Sequence, residues 1–524
     1  MDTQSSRPII GVHLDMKGIV FRPAYIPQLM RDLASQGINA VLVEYEDIFP
    51  FDDLDVAYDP PTVWSKAAIQ TLREEGQKHG VEIIPLQQCL GHLEWVFRWG
   101  RYAEFAESRE YPSTLCLTDP AGKALVHDML CQVLDAHPES RFIHLGMDEA
   151  FALQQTAART GQDVLDLFID YLLELIEIVE RYGKTPIIWS DMLEDHFVAG
   201  RFDRIKDRVI LAPWDYGTTG ARSPVGRILG HRVSKAWLEE PENPAAPPLG
   251  PGARFFEDLP EEIQALIAPY RHGREIDSFF QVDLWTKLGF RVLGTTAVRD
   301  VSQDSILPNY LTHFANIRGW AQAITRNNQL GVIGSSWSRG TTFCWPTYPV
   351  DAAWPAITVL AQAMGAAPGP FFTGIPAETV EGLTGKLSRC LKDWSIESDV
   401  CDEMEALLPQ LTAHRYEWQS IIYLGRIYAL YRQATFALLE VDAFRAGHRP
   451  VTPEWQRRLD DQHRLQRELT ALRSAVEPHF RQRYHGRHFT EWLDHAFAVP
   501  LERLREAEDR CQAYLLAMRE EYGW

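Results

Sequence analysis

Short apolar runs alternate with amphipathic stretches through the first two thirds of the chain. The run Ile9–Leu14 reads as a strand, and Pro27–Gln36 then reads as a helix stopped by Gly37. Seven more runs repeat the strand pattern: Ile38–Val43, Val81–Leu86, Arg141–Leu145, Pro186–Trp189, Val209–Ala212, Arg291–Leu293 and Gly331–Gly334. Helical periodicity fills the intervals, as at Val164–Tyr182 and Pro308–Thr325. Near-continuous apolar strands separated by helices predict a parallel sheet buried on both faces. Eight such units within roughly 360 residues predict a closed α/β structure, a (β/α)8 TIM barrel over residues 8–365.

Two departures from this rhythm stand out. The interval Gly217–Tyr270 is too long for an ordinary connection and reads as an insertion at about 217–270. Its stretch Glu239–Gly252 holds five prolines and is expected to lack regular structure. A Pro/Gly-rich hinge at Gly365–Pro376 follows the eighth unit. Beyond it the pattern is helical, with long amphipathic stretches at Trp418–Leu439, Pro453–Val476 and Leu501–Glu521. This predicts a C-terminal all-helical domain over residues 378–524. Its apolar stripe around Ile421, Ile422, Tyr423 and Leu424 should be buried against the barrel or in a homodimer.

Composition narrows the function. The 524 residues are 45% hydrophobic, enough for a large core, and the formal net charge of −20 repels nucleic acid and anionic membranes. A small neutral molecule or glycan fits better as a partner. No uninterrupted apolar run is long enough to span a bilayer. Met1–Arg7 shows no basic region followed by an apolar one, so no secretory signal is expected and a cytoplasmic location is. Seven scattered cysteines without a CxxC pair read as reduced thiols, with no metal or cofactor implied.

The sharpest motif is His144-Leu145-Gly146-Met147-Asp148-Glu149 at the end of the fourth strand, where barrel enzymes keep their chemistry. On a regular strand the two carboxylates would face opposite sides. Both reach one site only if the backbone bends, which Gly146 permits. Their mutual repulsion would let one of them hold a proton near neutral pH, as a general acid requires. Alone, the pair could equally complement the dipole of a following helix. Its surroundings argue for chemistry: His92 follows the third strand, and Trp189, Trp214 and Trp337 each stand near a strand's carboxyl end. Each tryptophan singly suits a core, but three around one mouth suit the apolar faces of a pyranose.

The motif resembles the His-x-Gly-x-Asp-Glu signature of family 20 glycoside hydrolases, and Gly91-His92 resembles that family's Gly-His. The hexosaminidase D branch has segments similar to His13-Leu14-Asp15-Met16-Lys17-Gly18 and Val43-Glu44-Tyr45-Glu46-Asp47-Ile48-Phe49-Pro50. It also has motifs similar to Trp189-Ser190-Asp191-Met192, Trp214-Asp215-Tyr216 and Trp337-Ser338-Arg339. The resemblance spans about residues 8–365. It implies a retaining exo-β-N-acetylhexosaminidase in which the substrate's own 2-acetamido oxygen attacks the anomeric carbon. Glu149 would be the general acid/base, and Asp148 would hold the acetamido N–H and stabilise the oxazolinium. His92 and His144 would orient the pair. Asp15, His92, Trp189, Asp191, Trp214, Asp215, Tyr216, Trp337 and Arg339 are the implied substrate contacts.

Two positions depart from the commoner family pattern. No Tyr-x-Asp stands at the seventh strand, leaving Tyr216 as the donor to the acetamido oxygen. At the eighth strand Trp-x-Glu is replaced by Trp337-Ser338-Arg339. The branch leans towards N-acetylgalactosaminides, with N-acetylglucosaminides the other epimer. Two other classes compete. One is a sugar-binding barrel without turnover, against which the intact Asp148 and Glu149 speak. The other is a metal-dependent hydrolase using His13, His92 and His144, which lie after different strands.

Overall fold

The computed structural model describes residues 7–198, 200–224, 227–232, 255–273, 275–299, 306–393, 399–446 and 453–522. Eight strands close a parallel barrel: β1 (Ile9–Asp15), β2 (Ala40–Glu44), β3 (Glu82–Leu86), β4 (Phe142–His144), β5 (Thr185–Trp189), β6 (Ile210–Ala212), β7 (Arg291–Arg299) and β8 (Gly331–Ser336). Each strand pairs with its sequence neighbours, and β1 closes the ring by pairing with both β2 and β8. The predicted TIM barrel is therefore present.

The alternation of side chains along the strands explains why the apolar runs are continuous. Ala40 and Leu42, Ile84 and Leu86, Ile187 and Trp189, and Ile210 and Ala212 join one interior cluster. The residues between them, including Val41, Val43, Ile83, Ile188 and Leu211, join the larger core beneath the helices. Both faces are buried, so both parities must be apolar. Gly11 lies where a Cβ would fall 2.2 Å from the tip of Ile333, so the interior layer admits no side chain there.

Boundaries differ from the sequence reading where local chemistry overrides periodicity. β4 has only three residues, because the chain turns left-handed at Gly146 (φ +67°). β7 runs on to Arg299, six residues beyond the predicted end, since Thr295 and Thr296 are buried in the sheet despite their hydroxyls. The last helix is Gly486–Tyr522; it passes through Pro500 and so begins 15 residues before Leu501, where the sequence reading placed its start. The insertion carries the helix Glu261–Ile267 and the strand Arg222–Pro224, which joins a small antiparallel sheet with Glu275–Asp277 and Arg271–His272 just past the predicted end of the insertion at 270. The proline-rich stretch 239–252 lies outside the described residues.

After the barrel, the helices Arg415–Ala446, Pro453–Phe480 and Gly486–Tyr522 pack on one another and share the barrel's outer core. Ile421, Ile422 and Leu424 are fully buried within the chain. A two-residue strand, Tyr484–His485, pairs with Val20–Phe21 from the connection after β1. Among the described residues no helix is long and apolar enough to cross a membrane.

Candidate active site

The inward parity of three strands turns from apolar to ionisable near the carboxyl ends. In β1 it reads Ile9, Gly11, His13, Asp15; in β2, Ala40, Leu42, Glu44; in β4, Phe142, His144. Trp189 is 1% exposed and forms the floor, with His144 at 4.2 Å and Trp337 at 6.2 Å between ring centroids. Trp214 stacks on Tyr216 at 5.5 Å. The indole N–H of Trp189 is buried without a hydrogen-bond partner, which is unusual for buried tryptophan.

Three backbone distortions build the carboxylate pair. Gly146 turns the chain over Gln88, and a Cβ there would meet the Gln88 amide oxygen at 1.8 Å. Met147 (φ +79°) and Glu149 (φ +46°) then take left-handed conformations, each costing roughly 1–2 kcal/mol for a residue with a side chain. The turn is held by Gly146 N–H donating to His144 Nδ1 at 3.0 Å and by Glu149 N–H donating to Asp191 Oδ2 at 2.9 Å. Burial pushes His144 down to about 3, so it stays neutral with its proton on Nε2. The bend expected at Gly146 is thus present and brings Asp148 and Glu149 to the same side.

His92 joins them. Its Nε2 lies 3.3 Å from Asp148 Oδ2 and 3.4 Å from Glu149 Oε2, while Nδ1 faces Glu94 at 3.9 Å. Burial opposes a charge on His92, but Asp148 and its neighbours outweigh it and raise the imidazole well above its ordinary value. An imidazolium thus sits between the two carboxylates. The Asp148 side chain is 9% exposed and Glu149 40%, so one is enclosed and the other faces the open mouth. Asp191, fully enclosed, is raised well above the carboxylate range, first by burial and then by Asp148 beside it.

A second charged group stands after the first two strands, and sequence reasoning largely missed it. Lys17, buried, bonds Asp15 at 3.1 Å and Glu44 at 3.3 Å and lies 4.3 Å over the Trp337 ring. Burial disfavours its charge, yet Asp15, Glu44 and Glu46 hold it firmly protonated. Glu46 is raised by burial, and the neighbouring carboxylates of Glu44, Asp15 and Glu94 add to the push. The signal was available: Glu44 and Glu46 share one parity at a strand's end. Asp15, expected to touch sugar, is engaged at both oxygens, accepting from Lys17 N–H (2.9 Å) and Ser338 N–H (2.8 Å). Asp215 is likewise engaged by the loop it opens, accepting from Gly217 and Thr218 N–H and from the Thr218 hydroxyl. Both brace backbone as placed. Arg339, at the edge of the mouth, is 2% exposed, and its Nε and Nη2 have no partner.

His13, His92 and His144 do not converge on a point: His13 bonds Glu44 at 3.1 Å, and the others are engaged as described. Among the described residues one trio, Asp32, His414 and Glu417, has ligand atoms within 4.8 Å of one another, and it joins the helix Ile26–Ser35 to the helical tail. Cavities of about 510 Å³ near Ile9 and Phe142, and about 560 Å³ between tail helices, touch none of the carboxylates at the mouth.

Residues 35–226 match the model of the glycosyl hydrolase family 20 catalytic domain, so the resemblance read in the motifs is borne out over that stretch. The stretch contains Gly91-His92 and His144–Glu149. Among curated proteins the chain is similar to hexosaminidase D of Bos taurus, 31% identical over 39% of this chain and 62% of the relative. It is similar to hexosaminidase D of Homo sapiens at 30% identity, over 39% and 44%. The match thus spans less than two thirds of either relative. Of solved structures, the chitobiase of Flavobacterium johnsoniae aligns over 98% of this chain and 72% of its own, at 12% identity and a TM-score of 0.46, a likeness too loose to carry an argument.

Proposed function

We propose that this protein is a retaining exo-β-N-acetylhexosaminidase, hydrolysing terminal β-linked N-acetylgalactosamine or N-acetylglucosamine through an oxazolinium intermediate. The observation that carries the reading is the pair Asp148–Glu149, turned to one side of a tryptophan-floored barrel mouth and bridged by a charged His92. The match of residues 35–226 supports the same assignment.

In this reading the pyranose packs on Trp189 and Trp337, with Trp214 and Tyr216 flanking the acetamido group. The acetamido oxygen attacks the anomeric carbon while Glu149, the more exposed carboxyl, gives its proton to the leaving oxygen. Asp148 accepts from the acetamido N–H, and its negative charge sits where positive charge develops on the ring nitrogen and carbon. Glu149 then takes a proton from the water that opens the oxazolinium, returning the β configuration. The His92 charge between them stabilises both carboxylates as anions, and their roles divide by exposure, Asp148 being enclosed and Glu149 open to the mouth.

The test compares a 4-nitrophenyl 2-acetamido-2-deoxy-β-hexosaminide with the plain β-galactoside and β-glucoside, and follows the first product's anomer by NMR. The expected result is turnover of the acetamido sugar alone with a β product. Comparable rates on a plain sugar, or an α product first, would reject the mechanism, because removing the nucleophile must remove the chemistry.

A further inference from the structure

The junction between barrel and tail buries more carboxylate than guanidinium. Asp32, on the helix Ile26–Ser35 that follows β1, is 7% exposed, and its Oδ2 is enclosed without a hydrogen-bond partner. Glu417, in the first turn of the tail helix Arg415–Ala446, is 1% exposed, and Asp351 is fully buried. Against these three acids stands one buried arginine, Arg483, engaged by Glu417 at 2.6 Å and by Asp351 at 2.5 Å. Arg31, on the helix of Asp32, is exposed, where solvent screens its charge. Burial raises the Asp32 carboxyl above its ordinary value, as expected of an acid short of counter-charge. An uncompensated charge in an interior is destabilising, so such a surplus calls for a cation or a held proton.

His414 adds a nitrogen to the cluster. Asp32, His414 and Glu417 each place one ligand atom within 4.8 Å of the other two. His414 Nδ1 lies 3.7 Å from Glu417 Oε2, too far for a hydrogen bond but within the span of two atoms that each sit about 2.1 Å from one ion. The ring is fixed in place. It stacks on Phe371 at 3.8 Å between centroids, its backbone is left-handed (φ +58°), and its carbonyl accepts from Trp418 N–H at 3.2 Å. The His414 side chain is 18% exposed, which gives an ion a way in from solvent.

We propose that Asp32, His414 and Glu417 form a site for a divalent d-block cation, zinc foremost, that rivets the helical tail to the first helix of the barrel. One imidazole and two carboxylates are ligands zinc accepts, whereas calcium and magnesium prefer shells of oxygen alone. Tetrahedral zinc holds its ligand atoms about 3.4 Å apart, so the side chains close by up to roughly 1.4 Å on binding. Water takes the fourth position, on the side where His414 meets solvent. The ion's two charges offset the surplus that Arg483 leaves. The site is structural and does not depend on the hexosaminidase reading.

The rival account is a charged His414 serving both acids without a metal. To separate the two, the full-length protein is stripped with a chelator, the chelator is removed, and zinc chloride is titrated in by calorimetry and by thermal unfolding, with magnesium chloride beside it. One zinc per chain should bind, and the unfolding midpoint should rise by a few degrees with zinc and not with magnesium. The chain's 17 histidines offer adventitious contacts elsewhere, so Asp32→Asn and His414→Gln localise the event. Each should weaken it by about tenfold or more and abolish the rise. A midpoint that zinc moves no more than magnesium does, or a zinc affinity that either variant keeps, overturns the site and leaves His414 as the counter-ion. Should a variant fail to fold, anomalous scattering at the zinc edge from wild-type crystals grown with zinc decides. A peak among the three side chains supports the site; peaks only elsewhere, or none, overturn it.

Discussion

Gly91→Ala offers a sharp test of how the carboxylate pair is positioned. A Cβ at Gly91 would lie 2.0 Å from the carbonyl oxygen of Asp148 and 3.2 Å from its carbonyl carbon. A carbon normally approaches such an oxygen to roughly 3.3 Å, so the two chains must part by about 1 Å. The obstructed atom belongs to the peptide that joins Asp148 to Glu149, and backbone cannot swing aside as a side chain can. Displacing that peptide moves both carboxylates away from His92, whose contacts at 3.3 and 3.4 Å leave little slack. A misplacement of about 1 Å in a reacting constellation costs roughly 10²-fold in rate, and overpacking costs about 1–3 kcal/mol in stability. The assay is kcat on a 4-nitrophenyl N-acetyl-β-hexosaminide beside the urea midpoint. The control is Gly382→Ala, in the helix Ala377–Asp393, where a Cβ meets nothing within 4 Å and helix propensity favours alanine. If Gly91→Ala keeps wild-type kcat and midpoint, the close approach of the two loops is not what sets the pair.

Two further outcomes follow from the same geometry. Glu149→Gln should lower turnover by a factor on the order of 10² or more on disaccharides, and by less on activated aryl glycosides that need little protonation; equal loss on both would deny Glu149 the proton-donor role. Burial depresses His137 to about 4, so between about pH 6.5 and 4 the unfolded chain takes up a proton that the folded one refuses. Stability from this site is therefore present above the unfolded value and lost as pH falls, by about 1.4 kcal/mol per pH unit, and His137→Gln should flatten the urea-midpoint profile accordingly.

The parallel sheet was legible because its strands are buried on both faces, which leaves continuous apolar runs, and the count of eight βα units pointed to a closed barrel over an open sheet. What the apolar pattern could not show was where each strand stops. β4 ends early because Gly146, Met147 and Glu149 turn left-handed, and a non-glycine residue with positive φ leaves no mark in composition. The pair Asp148–Glu149 and His92 were legible as residues, but not the bridge between them, which joins two strands' loops. Asp15 and Asp215 look in sequence like free acids at a barrel mouth. Their engagement depends on backbone N–H groups of residues 17, 338, 217 and 218, and the amide carries no side-chain signature. Lys17 was ambiguous for the opposite reason: lysine is usually solvated, and only the convergence of Asp15 and Glu44 makes its burial tolerable.

The helical tail bears directly on the mouth. Arg483 reaches from the tail into the barrel, bonding Asp351 at 2.5 Å, Glu417 at 2.6 Å and the Tyr25 hydroxyl at 3.0 Å, and its guanidinium lies 3.8 Å from the Tyr416 ring centroid. Tyr484 donates to the other oxygen of Asp351. Arg483, Asp351, Glu417, Tyr25 and Tyr484 are all buried, so the network is weak as a source of net stability but strict in geometry: removing one charge leaves its partners unmatched, at about 3–5 kcal/mol. Asp351 stands a dozen residues beyond Arg339 on the connection after β8, and Tyr25 stands on the connection after β1. The strand Tyr484–His485 continues the clasp by pairing with Val20–Phe21, and Arg487 N–H is fixed on Asp59 in the connection after β2. The tail therefore grips the connections after β1, β2 and β8, the three that carry Lys17, Glu46 and Arg339. The part of the mouth that carries Lys17, Glu46 and Arg339 is thus held by residues more than a hundred places beyond the barrel.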